Sequence, residues 1–151
     1  KGGVLCQDLH RLTYPEASFD LFVTQDVFEH LPYPDRAFRE VMRVLKPGGA
    51  HVFTVPWWPD RETVVRARMV DGRLVHALPP DYHGNPVDAS GSLVYREWGR
   101  DLVDFIQETT GAETEVLSYD DRRRGLAGEF LEVFVTRKPR GVTGRSAACE
   151  A

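Results

Sequence analysis

The sequence predicts an α/β protein that carries part of a doubly wound parallel sheet with an antiparallel hairpin at one edge. An apolar run at Phe19–Thr24 is followed by an amphipathic helical pattern and then by a second apolar run at Ala50–Val55. Two strands joined through one helix are typically parallel. Near the C-terminus, strand-like runs at Thr114–Tyr119 and Glu129–Arg137 flank the polar loop DDRRRGLAG. Such a short connection favours an antiparallel pair.

The first strands of this sheet are predicted from short apolar runs. Val4–Cys6 is a strand candidate that ends at Gln7-Asp8. Phe19–Thr24 is nearly all apolar or β-branched, which is typical of a strand covered on both faces of a parallel sheet. We therefore expect Phe19–Thr24 to lie inside the sheet, with both of its faces buried.

A helix is predicted to begin at Asp35, because Pro32 and Pro34 disfavour a helix before it. Apolar side chains then recur at helical spacing as far as Leu45, with charged residues between them. Pro47–Gly49 is expected to end the helix, since glycine readily adopts the left-handed conformation of a C-terminal cap.

Residues 57–93 are predicted to form an insertion. Val64–Met69 and Arg73–Ala77 flank Asp71-Gly72, a favoured hairpin turn. The segment LPPDYHGNPVDASG is expected to be an ordered loop, and a loop of this length within a compact domain is often functional. After the insertion, Glu97–Thr110 is predicted to be a second amphipathic helix that stops at Gly111.

Composition limits the classes of partner. The chain has 151 residues, 19 Lys and Arg and 23 Asp and Glu, hence a net charge of -4. This balance argues against nucleic acid or an anionic membrane, because both attract a basic surface, and no apolar run reaches the roughly 18 residues of a membrane span. The spacing of Cys6 and Cys149 predicts neither a metal site nor a disulfide, so a reducing cytoplasm fits best.

The domain boundaries are expected to be residues 1–137 for one partial domain and 138–151 for a flexible tail. The chain begins with Lys1, without a signal-like segment. We interpret it as a truncated, processed or partial gene product.

The run FDLFVTQDVFEHLPYPDRAFREVMRVLKPGG, Phe19–Gly49, resembles the second half of the cofactor-binding core of class I S-adenosylmethionine-dependent methyltransferases of the type 11 group. The resemblance extends over Val4–Val55 and more loosely over the last helix and hairpin. It implies a Rossmann-like fold, S-adenosylmethionine as cofactor, and methyl transfer to a small molecule or a glycan or lipid precursor.

The resemblance also implies cofactor-binding residues. Asp8, with Leu9 beside it, follows the first strand at the point where the family uses a carboxylate to accept a hydrogen bond from the adenine amino group. A turn-capping role is the alternative for Asp8. Four further residues leave the centre of the sheet beside the methionine and sugar of the cofactor: Gln25, Asp26, Val27 and Phe28. Phe28 could instead fill the core, and Asp26 could instead be solvated or help to orient the substrate.

Candidate catalytic and substrate-binding residues lie in the loops. In the family the Glu29-His30 dipeptide is mainly structural, although a histidine near neutral pKa can act as a general base. The aromatic residues Trp57, Trp58 and Tyr82 could form the wall of a substrate site. His83 is the preferred catalytic candidate, as a base or a substrate contact; a plain surface position is its alternative.

Part of the family pattern is absent from this sequence. No GxGxxG motif or close variant occurs among the 13 glycines, so we expect this chain by itself to bind the cofactor poorly or not at all. A non-catalytic methyltransferase remnant or partner subunit is therefore an alternative function. A dinucleotide-dependent oxidoreductase ranks last, because it needs the same missing fingerprint. An incomplete sheet would expose apolar strand edges, which predicts self-association.

Overall fold

The computed structural model describes residues 3, 5–85 and 88–140. The elements are β1 Phe19–Gln25, α1 Pro34–Val44, β2 Leu45–Thr54, β3 Trp57–Trp58, β4 Val64–Val65, β5 Ala67–Val70, β6 Arg73–His76, β7 Tyr82–His83, β8 Ser92–Leu93, β9 Arg96–Gly99, α2 Leu102–Thr110, β10 Thr114–Ser118 and β11 Glu132–Arg137, with 3-10 turns at Phe28–His30 and Arg122–Arg124.

The main sheet has four strands in the order β1-β2-β11-β10. β1 pairs in parallel with β2, and β11 is antiparallel to both β2 and β10, so the predicted mixed α/β sheet and its antiparallel edge are confirmed.

The core lies between the sheet and the two helices. α1 places Phe38 and Val41 at zero exposure against Phe53 of β2, and Phe134 of β11 stacks on Phe53 at 5.0 Å between ring centroids. Ile106 of α2 is buried in the same cluster. The helical spacing of the apolar residues in α1 therefore buries one face of that helix, as the sequence predicts.

The predicted helix stop at Pro47–Gly49 is wrong. α1 ends at Val44, and the next residue, Leu45, is already extended and begins β2. The pairing of β1 with β2 skips from Leu45 to Ala50, so the Pro-Gly-Gly segment bulges out of the strand pair. Glycine is needed there for another reason: a Cβ at Gly49 would lie 2.9 Å from the Lys46 carbonyl oxygen.

The predicted first strand is not formed over its described residues. Leu5 and Cys6 have no regular structure, while Val4 lies outside the described residues. Asp8 instead makes an isolated bridge with Arg11 in a tight turn. A single extended segment needs a neighbouring strand to satisfy its main chain, and β1 is hydrogen-bonded to β2 alone in the described sheet.

The expectation that Phe19–Thr24 is covered on both faces is also wrong. β1 is an edge strand of the described sheet. Leu21 and Val23 are 56% and 62% exposed, whereas Phe22 and Thr24 face His51 on the core side. An alternating pattern of exposure follows because the described helices contribute to the core on only one side of this strand.

The second helix begins later than predicted. Residues Arg96–Gly99 form strand β9, and α2 begins at Leu102 and stops before Gly111, whose φ is +70°. Trp98 is buried, but it lies on a strand that pairs with β3 and β4. Trp98 has the spacing expected of the helix only by coincidence. The pairing of β9 with β3 and β4 overrides the local helical preference.

The insertion of residues 57–93 consists of short strands. The predicted hairpin is confirmed as β5 and β6, with positive φ at Asp71 and Gly72 in its turn. The segment predicted as an ordered loop contains strand β7, which pairs antiparallel with β8 directly after that segment. The predicted tail begins with Lys138, whose main chain pairs with Gly48 and Gly49; residues 141–151 of that tail lie outside the described residues.

No helix in the described part of the chain has both the length and the apolar character that crossing a membrane requires.

Candidate functional site

The carboxyl ends of β1 and β2 meet at Asp26, directly after β1. The Asp26 main-chain N–H donates to the Thr54 carbonyl at 3.0 Å, and the Thr54 hydroxyl donates to the Asp26 carboxylate at 3.0 Å. Asp26 has a φ of +50°, which is uncommon for a residue other than glycine. These contacts hold the chain in a sharp turn between the sheet and the Phe28–His30 turn, and they use the Asp26 carboxylate for structure.

Asp8 and Leu9 lie in the turn before β1. The Asp8 carboxylate accepts hydrogen bonds from the main-chain N–H of His10 at 2.9 Å and contacts His10 Nδ1 at 2.7 Å. These bonds hold the pKa of Asp8 below its ordinary value, so the group is an ionised, exposed acceptor. Leu9 borders an open apolar groove of about 270 Å³ beside β1. The groove is lined by Gln7, Leu9, Leu12, Tyr14, Phe19, Leu21, Phe22 and Val23.

Phe28 is fully buried, which favours its core-filling alternative. Its ring stacks on Phe38 with centroids 4.1 Å apart, and it also packs on Phe53. Val27 is half-buried against the same core, while Gln25 is exposed at the end of β1. The ring of Phe28 has no surface to offer a ligand, so any contact with a cofactor here would involve the main chain or Val27.

A cavity of about 300 Å³ opens between the Phe28–His30 turn and the insertion. The structure brings the predicted Trp58 and His83 together there. Trp57 lies elsewhere: its Nε1 donates to the Gly99 carbonyl at 2.7 Å. Tyr82 is 53% exposed and is not part of the cavity wall. The cavity is lined by Glu29, Pro56, Trp58, Asp81, His83, Val94, Arg96, Glu97 and Phe130.

Glu29 forms the polar end of this cavity. Its side chain is 1% exposed, and burial raises its pKa to about 7, with a smaller contribution from the charge of Asp26 and an opposing one from its own main-chain N–H. His30 Nε2 lies 3.6 Å and His83 Nδ1 lies 3.9 Å from Glu29 Oε1. Burial lowers the pKa of His30, whose Nδ1 contacts the Leu93 carbonyl oxygen at 2.9 Å.

Aromatic side chains form the apolar wall. Trp58 packs edge-on against Phe130 with centroids 5.0 Å apart, and the Arg61 guanidinium lies 4.4 Å from the Trp58 ring centroid. Phe130 adopts a φ of +56°, which is strained for a bulky side chain. Trp58 is therefore held between a cation and an aromatic ring and has little freedom to leave the cavity.

Charged side chains complete the wall on the β9 side. Glu97 accepts hydrogen bonds from Arg61 at 2.7 Å and from Arg66, which fixes the insertion onto β9. Arg96 lies with its guanidinium 5.0 Å from the Trp98 ring, and burial lowers its pKa to about 10. Arg96 stays cationic at neutral pH because that pKa remains well above 7.

A larger depression, of about 530 Å³, lies at the opposite end of the sheet beside Gly48 and Arg137–Arg140. Its described lining residues form no cluster suited to acid–base chemistry. Because parallel α/β sheets bind ligands at the carboxyl ends of their strands, the smaller cavity beside Glu29 is the candidate site.

Sequence reasoning missed most of this wall. The Glu29-His30 dipeptide was interpreted as mainly structural, and nothing in its local pattern shows that His83 lies opposite it. Arg96 and Glu97 were placed near the start of a helix. Phe130 belongs to a loop without periodicity. The charged dipeptide that follows β1 and the aromatic and histidine residues of the insertion are the local signals for this site in the sequence.

The comparisons with known proteins agree with the fold. Residues 1–53 match the family described as "Methyltransferase domain". The chain is 45% identical over 47 residues to a sarcosine/dimethylglycine N-methyltransferase of Halorhodospira halochloris, covering 31% of this chain and 17% of that protein. It is 35% identical over 49 residues to a ubiquinone biosynthesis O-methyltransferase of Coxiella burnetii, covering 32% of this chain and 21% of that protein. The aligned regions thus span about a fifth of the length of these curated relatives.

Solved structures resemble a larger part of the chain. An S-adenosylmethionine-dependent methyltransferase from Mesorhizobium loti matches with a TM-score of 0.54 at 20% identity, covering 86% of this chain and 67% of that one. One from Methanosarcina mazei matches with a TM-score of 0.52 at 15% identity, covering 88% and 65%. The chain therefore has a Rossmann-like α/β fold like that of these two structures, which are described as S-adenosylmethionine-dependent methyltransferases, and its residues 1–53 match a methyltransferase domain.

Proposed function

We propose that the protein transfers a methyl group from S-adenosylmethionine to a small-molecule acceptor bound in the cavity beside Glu29. The observation that carries this proposal is the shape of that cavity. It has a buried carboxylate with two histidines at one end, and Trp58 and Phe130, packed edge-on, along another side. Concave sites with apolar walls and a few convergent polar groups are typical of small-molecule binding.

The described residues fit part of the cofactor. The ionised Asp8 suits the adenine amino group, because a carboxylate is a strong acceptor for an N–H donor. Gln25, the last residue of β1, and Val27, two residues later, are the other described candidates for cofactor contacts. The sequence has no glycine between Gly3 and Gly48, so the described residues supply no glycine-rich cradle for the methionine end. The fit is therefore to the adenosine side.

The residues of the cavity would orient the acceptor. Bound S-adenosylmethionine supplies an electrophilic methyl group, so the protein's main task is to align the acceptor atom and exclude water. Trp58 and Phe130 would hold an apolar part of the acceptor. Glu29 and His83 would accept a hydrogen bond or a proton from its hydroxyl or amine, at the carboxylate oxygen and at Nδ1 respectively.

The acceptor class is proposed from charge and from the relatives. The net charge of -4 disfavours nucleic acid as the acceptor. The two relatives are named for sarcosine/dimethylglycine and for ubiquinone biosynthesis, so one is an N-methyltransferase and the other an O-methyltransferase. We propose a small molecule or a glycan or lipid precursor as the acceptor, with a cytoplasmic location.

A second candidate is a non-catalytic role as a methyltransferase remnant or partner subunit. The open edge of β1 in the described sheet, which could pair with another chain, favours it. Under this proposal the fold is retained for association with another protein, and the cavity beside Glu29 has no reacting substrate.

Calorimetric titration with S-adenosylhomocysteine tests the two candidates. We expect weak binding by the chain as it stands and stronger binding when a glycine-rich strand–loop–helix segment is supplied upstream of Lys1. Asp8→Asn should weaken that binding. Asp60→Asn should not, because Asp60 is exposed and is not part of the turn that contains Asp8. Absence of binding in both forms would favour the non-catalytic role, and tight binding by the 151-residue chain would show that our account of the pocket is wrong.

A further inference from the structure

The buried carboxylate of Glu29 lacks a partner that would compensate its burial. Its side chain is 1% exposed, and neither carboxylate oxygen has a hydrogen bond from another residue. Within the described part of the chain, the ion-pair partners found within 4.0 Å of Glu29 are the two histidines, His30 and His83. A buried carboxylate without compensation is unfavourable, so this group indicates a bound ligand.

The hydrogen bond of His30 determines which ring nitrogen faces Glu29 with a lone pair. Nδ1 lies 2.9 Å from the Leu93 carbonyl oxygen, and a carbonyl can only accept, so Nδ1 carries the proton. In the neutral ring Nε2 then presents its lone pair to Glu29 Oε1 at 3.6 Å. A histidine that donates one N–H to a main-chain carbonyl and offers its other nitrogen is the usual arrangement of a metal ligand.

His83 brings a third ligand atom to the same point. Its Nδ1 lies 3.9 Å from Glu29 Oε1, and its ring stands perpendicular to that of His30 with centroids 5.0 Å apart. The candidate ligand atoms of the three residues all lie within 4.8 Å of one another. Ligands bound at about 2.0–2.2 Å in a tetrahedral site are separated by roughly 3.3–3.6 Å. A small rotation of the half-buried His83 side chain would bring the ligand atoms from their present separations to those of a tetrahedral site.

We propose that Glu29, His30 and His83 bind a divalent transition-metal ion of the Zn²⁺ type. One carboxylate and two imidazoles suit borderline ions such as Zn²⁺ better than Mg²⁺ or Ca²⁺, which favour oxygen ligands. Three protein ligands leave at least one coordination position open, and the cavity lies on that side. On the proposed function, an oxygen or nitrogen of the methyl acceptor would occupy the open position, and the metal ion, in place of His83 Nδ1, would then contact that atom.

The other charges around the cluster are mixed in sign. Of the described residues that line the cavity, Asp81 lies 4.0 Å from Arg66, and Glu97 pairs with Arg61 and Arg66. Arg96 is the cation of this described lining, and its guanidinium lies 5.0 Å from the Trp98 ring centroid. These pairings leave the two histidines as the ion-pair partners of Glu29 in the described part of the chain.

Calorimetric titration of the metal-free chain with Zn²⁺ tests the proposal. We expect one ion per chain, much weaker binding of Mg²⁺, and a rise in Tm of roughly 5–10 °C at a 100-fold excess of Zn²⁺ over its Kd. His83→Ala should weaken Zn²⁺ binding at least ~10-fold, because it removes a direct ligand from a half-exposed position that tolerates the change. His76→Ala is the matched control, since His76 is exposed on β6 and is not part of the cluster.

The readouts separate the metal site from the proposed function. Loss of Zn²⁺ binding in His83→Ala and its retention in His76→Ala support the site, whatever the result for S-adenosylhomocysteine. Unchanged affinity in His83→Ala, or no stoichiometric binding by the unmodified chain, overturns the site. Cofactor binding measured separately in the presence of a chelator then decides the methyltransferase proposal by itself.

Discussion

His51 is a buried titratable side chain within the core of the sheet. It has no exposed surface, its ring stacks on Phe53 at 4.6 Å, and its Nε2 lies 2.9 Å from the Thr24 hydroxyl. Burial lowers the pKa of His51 to about 3. The folded protein therefore holds this imidazole neutral, whereas the unfolded chain protonates it near its ordinary pKa of 6.5.

We predict that His51 makes the protein less stable in acid. Because the folded pKa lies below the unfolded one, the contribution is fully present above pH 6.5 and is lost as the pH falls from 6.5 towards 3. The limiting slope is about 1.4 kcal/mol per pH unit. Denaturant unfolding at several pH values should show a shallower decline for His51→Gln, which cannot titrate but retains a hydrogen-bonding group for Thr24.

His76→Gln is the control for this measurement, because His76 is exposed on β6. Its unfolding free energy should follow that of the unmodified protein across the same pH range. Equal slopes for His51→Gln and the unmodified protein would mean that His51 is not held neutral by burial.

At the level of single residues, the sequence predicts candidate binding residues near the end of β1, but it does not show which side chains face a cavity. Phe28 is an example: its position beside β1 is consistent with a cofactor contact, yet its ring fills the core against Phe38. Glu29 is the opposite case. Its neighbours His30 and His83 are 1 and 54 positions away in sequence, and only the folded chain brings the latter to 3.9 Å.

Among the elements, β9 connects the insertion to the core through Gly99. A Cβ at Gly99 would lie 2.3 Å from the Arg61 carbonyl oxygen and 2.4 Å from the Thr63 main-chain nitrogen. The Gly99 N–H donates to the Thr63 hydroxyl at 2.9 Å, and its carbonyl accepts from Trp57 Nε1. The close approach of two main chains leaves no room for a side chain at this position.

We predict that Gly99→Ala destabilises the protein by about 2 kcal/mol or more, because main-chain atoms must move to admit the methyl group. Thermal unfolding should show a fall in Tm of several degrees. Gly84→Ala is the matched control, since nothing lies within 4 Å of a Cβ there. A similar Tm for both variants would contradict the described packing of β9 on residues 61–63.

Local patterns predicted the existence of elements better than their ends. The 3.6-residue period of α1 is maintained by core burial and survives in the structure, as does the Asp71-Gly72 turn. The start of α2 was wrong because Trp98 is buried in a strand pair that the local sequence does not reveal. The sequence of Pro47–Gly49 is typical of a helix stop, yet the segment forms a bulge in β2, where Gly49 lies close to the Asp20 carbonyl oxygen of β1.

At the scale of the molecule, β1 is an open edge of the described sheet. Leu21 and Val23 are exposed on a strand that is hydrogen-bonded on one side in the described sheet. The apolar groove of about 270 Å³ runs beside the same strand. Exposed apolar edge strands favour association with another chain.

We propose that this chain self-associates through β1. Sedimentation velocity over a range of concentrations should show association of the unmodified chain, and Val23→Lys should shift it towards monomer by placing a charge on the exposed face. Leu74→Lys is the control, because Leu74 is 42% exposed but lies on the β5–β6 hairpin. A monodisperse monomer at all concentrations, or an equal effect of both variants, would contradict the proposal.

The sequence by itself determined the fold class, the parallel β1–α1–β2 unit and the C-terminal hairpin, because these depend on periodicity and on residues close together in the chain. Tertiary structure decided the edge position of β1, the strand that contains Trp98, and the meeting of Glu29 and His30 with His83. Those features depend on pairing and burial between segments tens of residues apart. No local pattern specifies which distant segment supplies the partner, since packing selects it for the molecule as a whole.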